Sequence, residues 1–93
     1  MLTEVFKLVE DTPEQVIVEV VHDNDPLTIA RHPYINANWK YISVSKDGNL
    51  IYTIIKNDGS SWSFSASTLV SENLRRLQNK LRTYISACGI RLI

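Results

Sequence analysis

A lone cysteine, Cys88, among 93 residues rules out an internal disulfide, and with it the stapled scaffolds of many small secreted domains. Three glycines and three prolines are too few for a collagen-like or low-complexity chain. No apolar run approaches the ~18 residues of a membrane-spanning helix, and the first residues show no basic-then-apolar leader pattern. Net charge is missing as well. Ten basic and ten acidic side chains cancel, short of the basic footprint of a typical nucleic-acid binder. What remains is a globular composition, 44% hydrophobic and 22% charged. At this length it predicts one domain over residues 1–93 with one modest core. A reducing, cytoplasmic setting suits the single thiol.

The charges cancel in sum but not in position. Residues 1–27 hold Glu4, Glu10, Asp11, Glu14, Glu19, Asp23 and Asp25 against Lys7 alone. Residues 66–93 hold Arg75, Arg76, Lys80, Arg82 and Arg91 against Glu72 alone. An acidic start lying beside a basic end accounts for this, as does simple solvation of both; a basic surface for a polyanion is the sharper reading.

Order along the chain is clearest at residues 39–65. Trp39–Ser45, Leu50–Lys56 and Ser61–Ser65 are short runs rich in β-branched and aromatic residues. Asp47-Gly48 and Asp58-Gly59 separate them, and Asp-Gly between such runs is a strong hairpin signal. Two in succession predict a three-stranded antiparallel meander. Next, Val70, Leu74, Leu77, Leu81, Tyr84 and Cys88 recur at helical spacing with Ile85 widening the stripe, which predicts a helix over about 67–88. Ser67 or Ser71 would cap its start, and Gly89 would end it with Ile90 as the apolar partner of that cap. Cys88 reads as a small buried hydrophobe on the stripe.

The first third is ambiguous. Leu2–Val9 and Val16–Val21 read as a β-hairpin, five of the last six being β-branched. Thr12-Pro13-Glu14-Gln15 also looks like a helix start, so residues 13–22 are strand or helix on pattern alone. Residues 22–38 read as a connecting loop with a short strand at 27–30. The expected architecture is α+β: an N-terminal β-hairpin, a three-stranded antiparallel meander and a C-terminal helix packed on one sheet face.

Two-residue turns at both Asp-Gly pairs would set Val44 across from Ile51, Ile55 from Trp62 and Thr53 from Phe64. One face then carries Ile42, Val44, Ile51, Ile55, Trp62 and Phe64, the seat of the helix. The other carries Trp39, Tyr41, Tyr52, Ile54 and Leu50 among serines. A solvent-facing sheet rarely needs a Trp and two Tyr. The hairpin, or the loop at Tyr34 and Ile35, would cover them as core. Otherwise Trp39, Tyr41, Tyr52 and Ile54 form a partner-binding surface, self-association as a homodimer included. A stacking platform for nucleic-acid bases is the further alternative, flanked by Lys40, Lys46 and Lys56 and joined by Arg75, Arg76, Lys80 and Arg82.

Catalytic chemistry is thin. His22, Asp23, Asp25 and His32 share one loop, but their spacing matches no standard zinc pattern. No nucleophile, phosphate loop or telling carboxylate pair accompanies them. The expectation is therefore no enzyme, no metal and no cofactor, but an interaction or regulatory protein. In layout alone, residues 39–88 are similar to the sheet-plus-helix units of integrase arm-binding and plant three-stranded DNA-binding domains. That resemblance implies a nucleic-acid partner as the alternative.

Overall fold

The computed structural model describes residues 5–21, 31–32, 34–68 and 71–92. Five strands follow in chain order: β1 (Phe6–Asp11), β2 (Gln15–Val20), β3 (Trp39–Ser45), β4 (Ile51–Lys56) and β5 (Ser61–Ser65). A short 3-10 turn (Ala66–Thr68) leads to one helix, α1 (Glu72–Ala87). The α+β class, the antiparallel meander and the C-terminal helix agree with the sequence. Strand number differs: β2 pairs with β3, so the hairpin extends the meander into one five-stranded antiparallel sheet ordered β1-β2-β3-β4-β5. The short strand expected at 27–30 lies outside the described residues. Among those residues no helix is long and apolar enough to cross a membrane.

Residues 15–20 resolve as strand, and Thr12 explains the ambiguity. Its hydroxyl accepts from the Gln15 N–H at 3.2 Å, the bond a helix N-cap would make. The Thr12 N–H, however, donates to the Gln15 carbonyl at 2.9 Å, which closes a hairpin turn. The β-branched run Val16–Val20 then pairs on both sides, with β1 and with β3.

Both Asp-Gly turns are longer than two residues, and this moves the register. Gly59, at φ +87°, follows a turn in which its N–H donates to Lys56 and the Lys56 N–H donates to Ser60. That is a three-residue loop with glycine in the left-handed region. In the first turn Leu50 itself sits at φ +49° with its side chain 8% exposed. A left-handed leucine costs about 1–2 kcal/mol, and burying its side chain gains about 1.5–3 kcal/mol, so burial carries the turn. The pairs are therefore Val44 with Tyr52, Ile42 with Ile54, Tyr52 with Phe64 and Ile54 with Trp62. Strand β4 is reversed relative to expectation: Tyr52 and Ile54 face the helix, while Ile51 and Ile55 face away. The second slip cancels the first, so Trp62 and Phe64 keep the face predicted for them.

The core lies between this face and α1. Val16, Val18, Ile42, Val44, Tyr52 and Ile54 from the sheet meet Leu77, Leu81 and Ile85 from the helix, all fully buried. Ser71 caps α1, its hydroxyl accepting from the Leu74 N–H. At the far end Gly89 takes φ +79°, its N–H donates to Ser86, and the Ile90 N–H donates to Ile85. This pair of bonds is a Schellman motif, with Ile90 packed against the core. Cys88, expected to be buried, is exposed. The buried row runs 77, 81, 85 and leaves position 88 off its edge. Val70 lies outside the described residues.

Candidate interaction surface

The partner-binding face drawn from the sequence does not exist as a surface. Tyr52 and Ile54 have no exposure, and Trp39 has 9%. Turn length buries the first two. A bulge between Trp39 and Tyr41 separates the third from its neighbour: Lys40 is the extra residue, so Trp39 turns inward while Tyr41 stays on the open side. Tyr34 and Ile35 are buried in the same cluster, so the loop before β3 does cover this aromatic group.

The face away from α1 is instead rich in hydroxyls. Ser43, Thr53 and Ser63 form one cross-strand row. Thr53 and Ser63 bond to each other at 2.8 Å, and Ser43 donates to the Gln15 side-chain carbonyl at 2.8 Å. Tyr41 stands beside this row with the Lys40 ammonium 5.4 Å from its ring. Each hydroxyl of the row thus has a hydrogen-bond partner on this face, which suits a hydrated sheet face.

Exposed aromatic surface lies elsewhere. Tyr52 stacks on Phe64 with rings 5.1 Å apart and 8° from parallel, and Phe64 meets Trp62 at 5.2 Å. This series runs from the core to the edge of the sheet, where Trp62 is 38% exposed. Trp62 also borders a cleft of about 370 Å³ with Tyr34, Ile35, Trp39 and Leu74, rimmed by Ser71 and Asn73.

Among the described residues, strand β5 is an edge of the sheet, paired with β4 on one side. The bond from the Lys56 N–H to the Ser60 carbonyl, at 2.8 Å, marks 56 and 60 as a hydrogen-bonded pair. Antiparallel alternation then makes 54/62 and 52/64 the next such pairs. The backbone groups of Trp62 and Phe64 point to β4, and those of Ser61 and Ser63 point outward. No charge or proline interrupts Ser61–Ser65. The opposite edge is guarded: β1 carries Lys7, Glu10 and Asp11 and a bulge between Leu8 and Glu10. Sequence reasoning passed over Trp62 and Ser63 because the assumed register assigned Trp62 to the core. The signal was present, since Ser61–Ser65 is the last strand-like run before the helix.

The alternative nucleic-acid residues scatter. Lys46 is ion-paired with Asp11, and Lys56 is half-buried across from Trp39. Arg75, Arg76, Lys80 and Arg82 are all exposed on α1, where Arg76 lies 3.8 Å from Glu72. Arg76 and Lys80 line a shallow cleft of about 330 Å³ with Tyr34, Asn79 and Thr83.

His32 receives or gives a hydrogen bond at Nδ1 with the Tyr34 hydroxyl, 2.8 Å away. Burial first, then the charges of Lys80 and Arg31, hold its pKa below the ordinary 6.5. Burial raises the Tyr34 and Tyr52 phenols above theirs, with Arg82 partly offsetting the rise at Tyr52. The Tyr52 hydroxyl is buried with no partner among the described residues. Among those residues no group of three or more His, Cys, Asp or Glu gathers as a metal site, and His22, Asp23 and Asp25 lie outside them. Compared with family models, curated proteins and solved structures, the chain matches none.

Proposed function

We propose that this chain is a small non-enzymatic interaction protein, regulatory in role and cytoplasmic, that binds a protein partner along the edge of its sheet. The observation that carries this reading is the uncharged β5 edge, with Ser61 and Ser63 offering backbone groups beside a 38% exposed Trp62. Strand addition draws affinity from main-chain bonds and specificity from a side-chain pocket. Here the cleft between Trp62, Trp39 and Leu74 is that pocket. A partner segment in this mode is extended and uncharged, with an apolar side chain to fill the cleft.

Selection from a random peptide display library tests this. The wild-type chain should enrich extended apolar-alternating peptides whose binding is lost in Ser63→Pro, which removes an outward N–H and no backbone bond to β4, though it also gives up the exposed Ser63–Thr53 hydroxyl bond. Enrichment indifferent to Ser63→Pro and Trp62→Ala, or no enrichment, would overturn the reading.

A second reading has one observation in its favour. Arg75, Arg76, Lys80 and Arg82 are exposed together on one helix whose acidic complement is Glu72. A polyanion bound there would be released steeply by salt. Oligonucleotide titration at low and physiological salt distinguishes the two, because strand addition at an uncharged edge is insensitive to salt.

A further inference from the structure

We propose that the occupant of the β5 edge is a second copy of this chain, paired antiparallel about Ser63; this rests on the reading of β5 as the working edge. The strand is its own complement. Read in either direction, Ser61-Trp62-Ser63-Phe64-Ser65 alternates serine and aromatic, with one aromatic on each side of Ser63. A two-fold axis through an antiparallel pair brings each residue against its counterpart on the other side of the centre. Centred on Ser63, it sets Trp62 against the second copy's Phe64, and Phe64 against the second copy's Trp62.

The direction of the backbone groups agrees with that centre. Ser63 points its N–H and C=O outward, so two copies of Ser63 exchange both bonds as a hydrogen-bonded pair. Trp62 and Phe64 then form the other kind of pair, in which side chains approach more closely. Both aromatics lie on the helix side, where exposed Trp62 lacks cover and the second copy's ring supplies it. The serines stay on the hydroxyl face. No charge meets its like at the seam. Growth also stops at two, because both outer edges of the joined sheet are β1, with its bulge and its charges.

A seam of one short strand is a small interface, so dissociation in the micromolar range is expected. Sedimentation equilibrium of the full chain, with Ser63→Lys and Ser63→Glu variants, tests the pairing. At the two-fold, residue 63 meets itself, so each variant alone should weaken the dimer by roughly tenfold or more. An equimolar mixture of the two should restore it as a mixed dimer. The Ser63 side chain is exposed on the open face, and unchanged circular dichroism verifies that each variant folds. A wild-type chain that stays monomeric up to about 1 mM, or a dimer that charge exchange at position 63 does not rescue, overturns the inference. If the monomer still binds display-selected strands through Ser63, the edge reading survives and only the occupant changes; if it binds neither, both fall.

Discussion

Two tryptophans and one tyrosine separate burial from use at the scale of single residues. Trp39 is 9% exposed within the core cluster, whereas Trp62 keeps 38%. Truncating a core Trp costs about 3–5 kcal/mol, so Trp39→Ala should lower the urea midpoint severely. Trp62→Ala should cost less than half as much, while abolishing edge binding. A reversed order in chemical denaturation would show that the edge aromatic is structural. Tyr52 presents a different balance. Its ring stacks on Phe64 and needs its place, but its hydroxyl is buried without a partner among the described residues. An unsatisfied buried polar group costs about 1–3 kcal/mol. Tyr52→Phe should therefore leave stability unchanged or raise it, read as an equal or higher melting temperature.

Elements show how far local pattern reaches. The helix was legible because its signals agree: the row Leu77, Leu81, Ile85, the cap at Ser71 and the stop at Gly89 all point to one element. Gly89→Ala should remove about 1–2 kcal/mol, since φ +79° strains any residue with a Cβ; thermal unfolding measures it, and no loss would mean the cap is not held. The meander strands were legible too, from β-branched and aromatic content between turns, whereas residues 15–20 read as strand or helix. The faces of the strands were not. Which side of the sheet a residue occupies depends on one residue of loop length or one bulge, and those follow from tertiary burial of Leu50 and Trp39 rather than from the Asp-Gly pairs. The candidate surface inherited that error, because it was drawn from faces. Tyr52 and Ile54 moved inside with β4. The edge of β5, which depends only on strand order, was readable but overshadowed.

At the scale of the whole molecule, three buried or half-buried rings among the described residues contribute to the response to pH, beside Asp58, whose carboxyl the hydrogen bonds of Ser60 hold below its ordinary value. His32 titrates below its ordinary 6.5 in the folded chain, so the unfolded chain binds more protons just under that value. Stability is full above 6.5 and declines as pH falls through the lowered folded value. Tyr34 and Tyr52 titrate above their ordinary 10. The folded chain then holds protons that the unfolded chain releases, so stability declines as pH rises past 10. Denaturation across this range should give a plateau near neutrality with two falling arms. His32→Gln should flatten the acid arm and Tyr52→Phe should flatten the alkaline one; arms unmoved by either change would assign them to other groups. The two cancelling slips carry a wider consequence. Each turn fixes, by whether its residue count is odd or even, the orientation of every strand after it. Losing one residue from either loop would turn Trp62 and Phe64 to the hydroxyl side, while losing one from each would leave them in place. Because a joint loss would still turn Tyr52 and Ile54 out of the core, the two turns should vary in length by steps of two among chains that share this sheet.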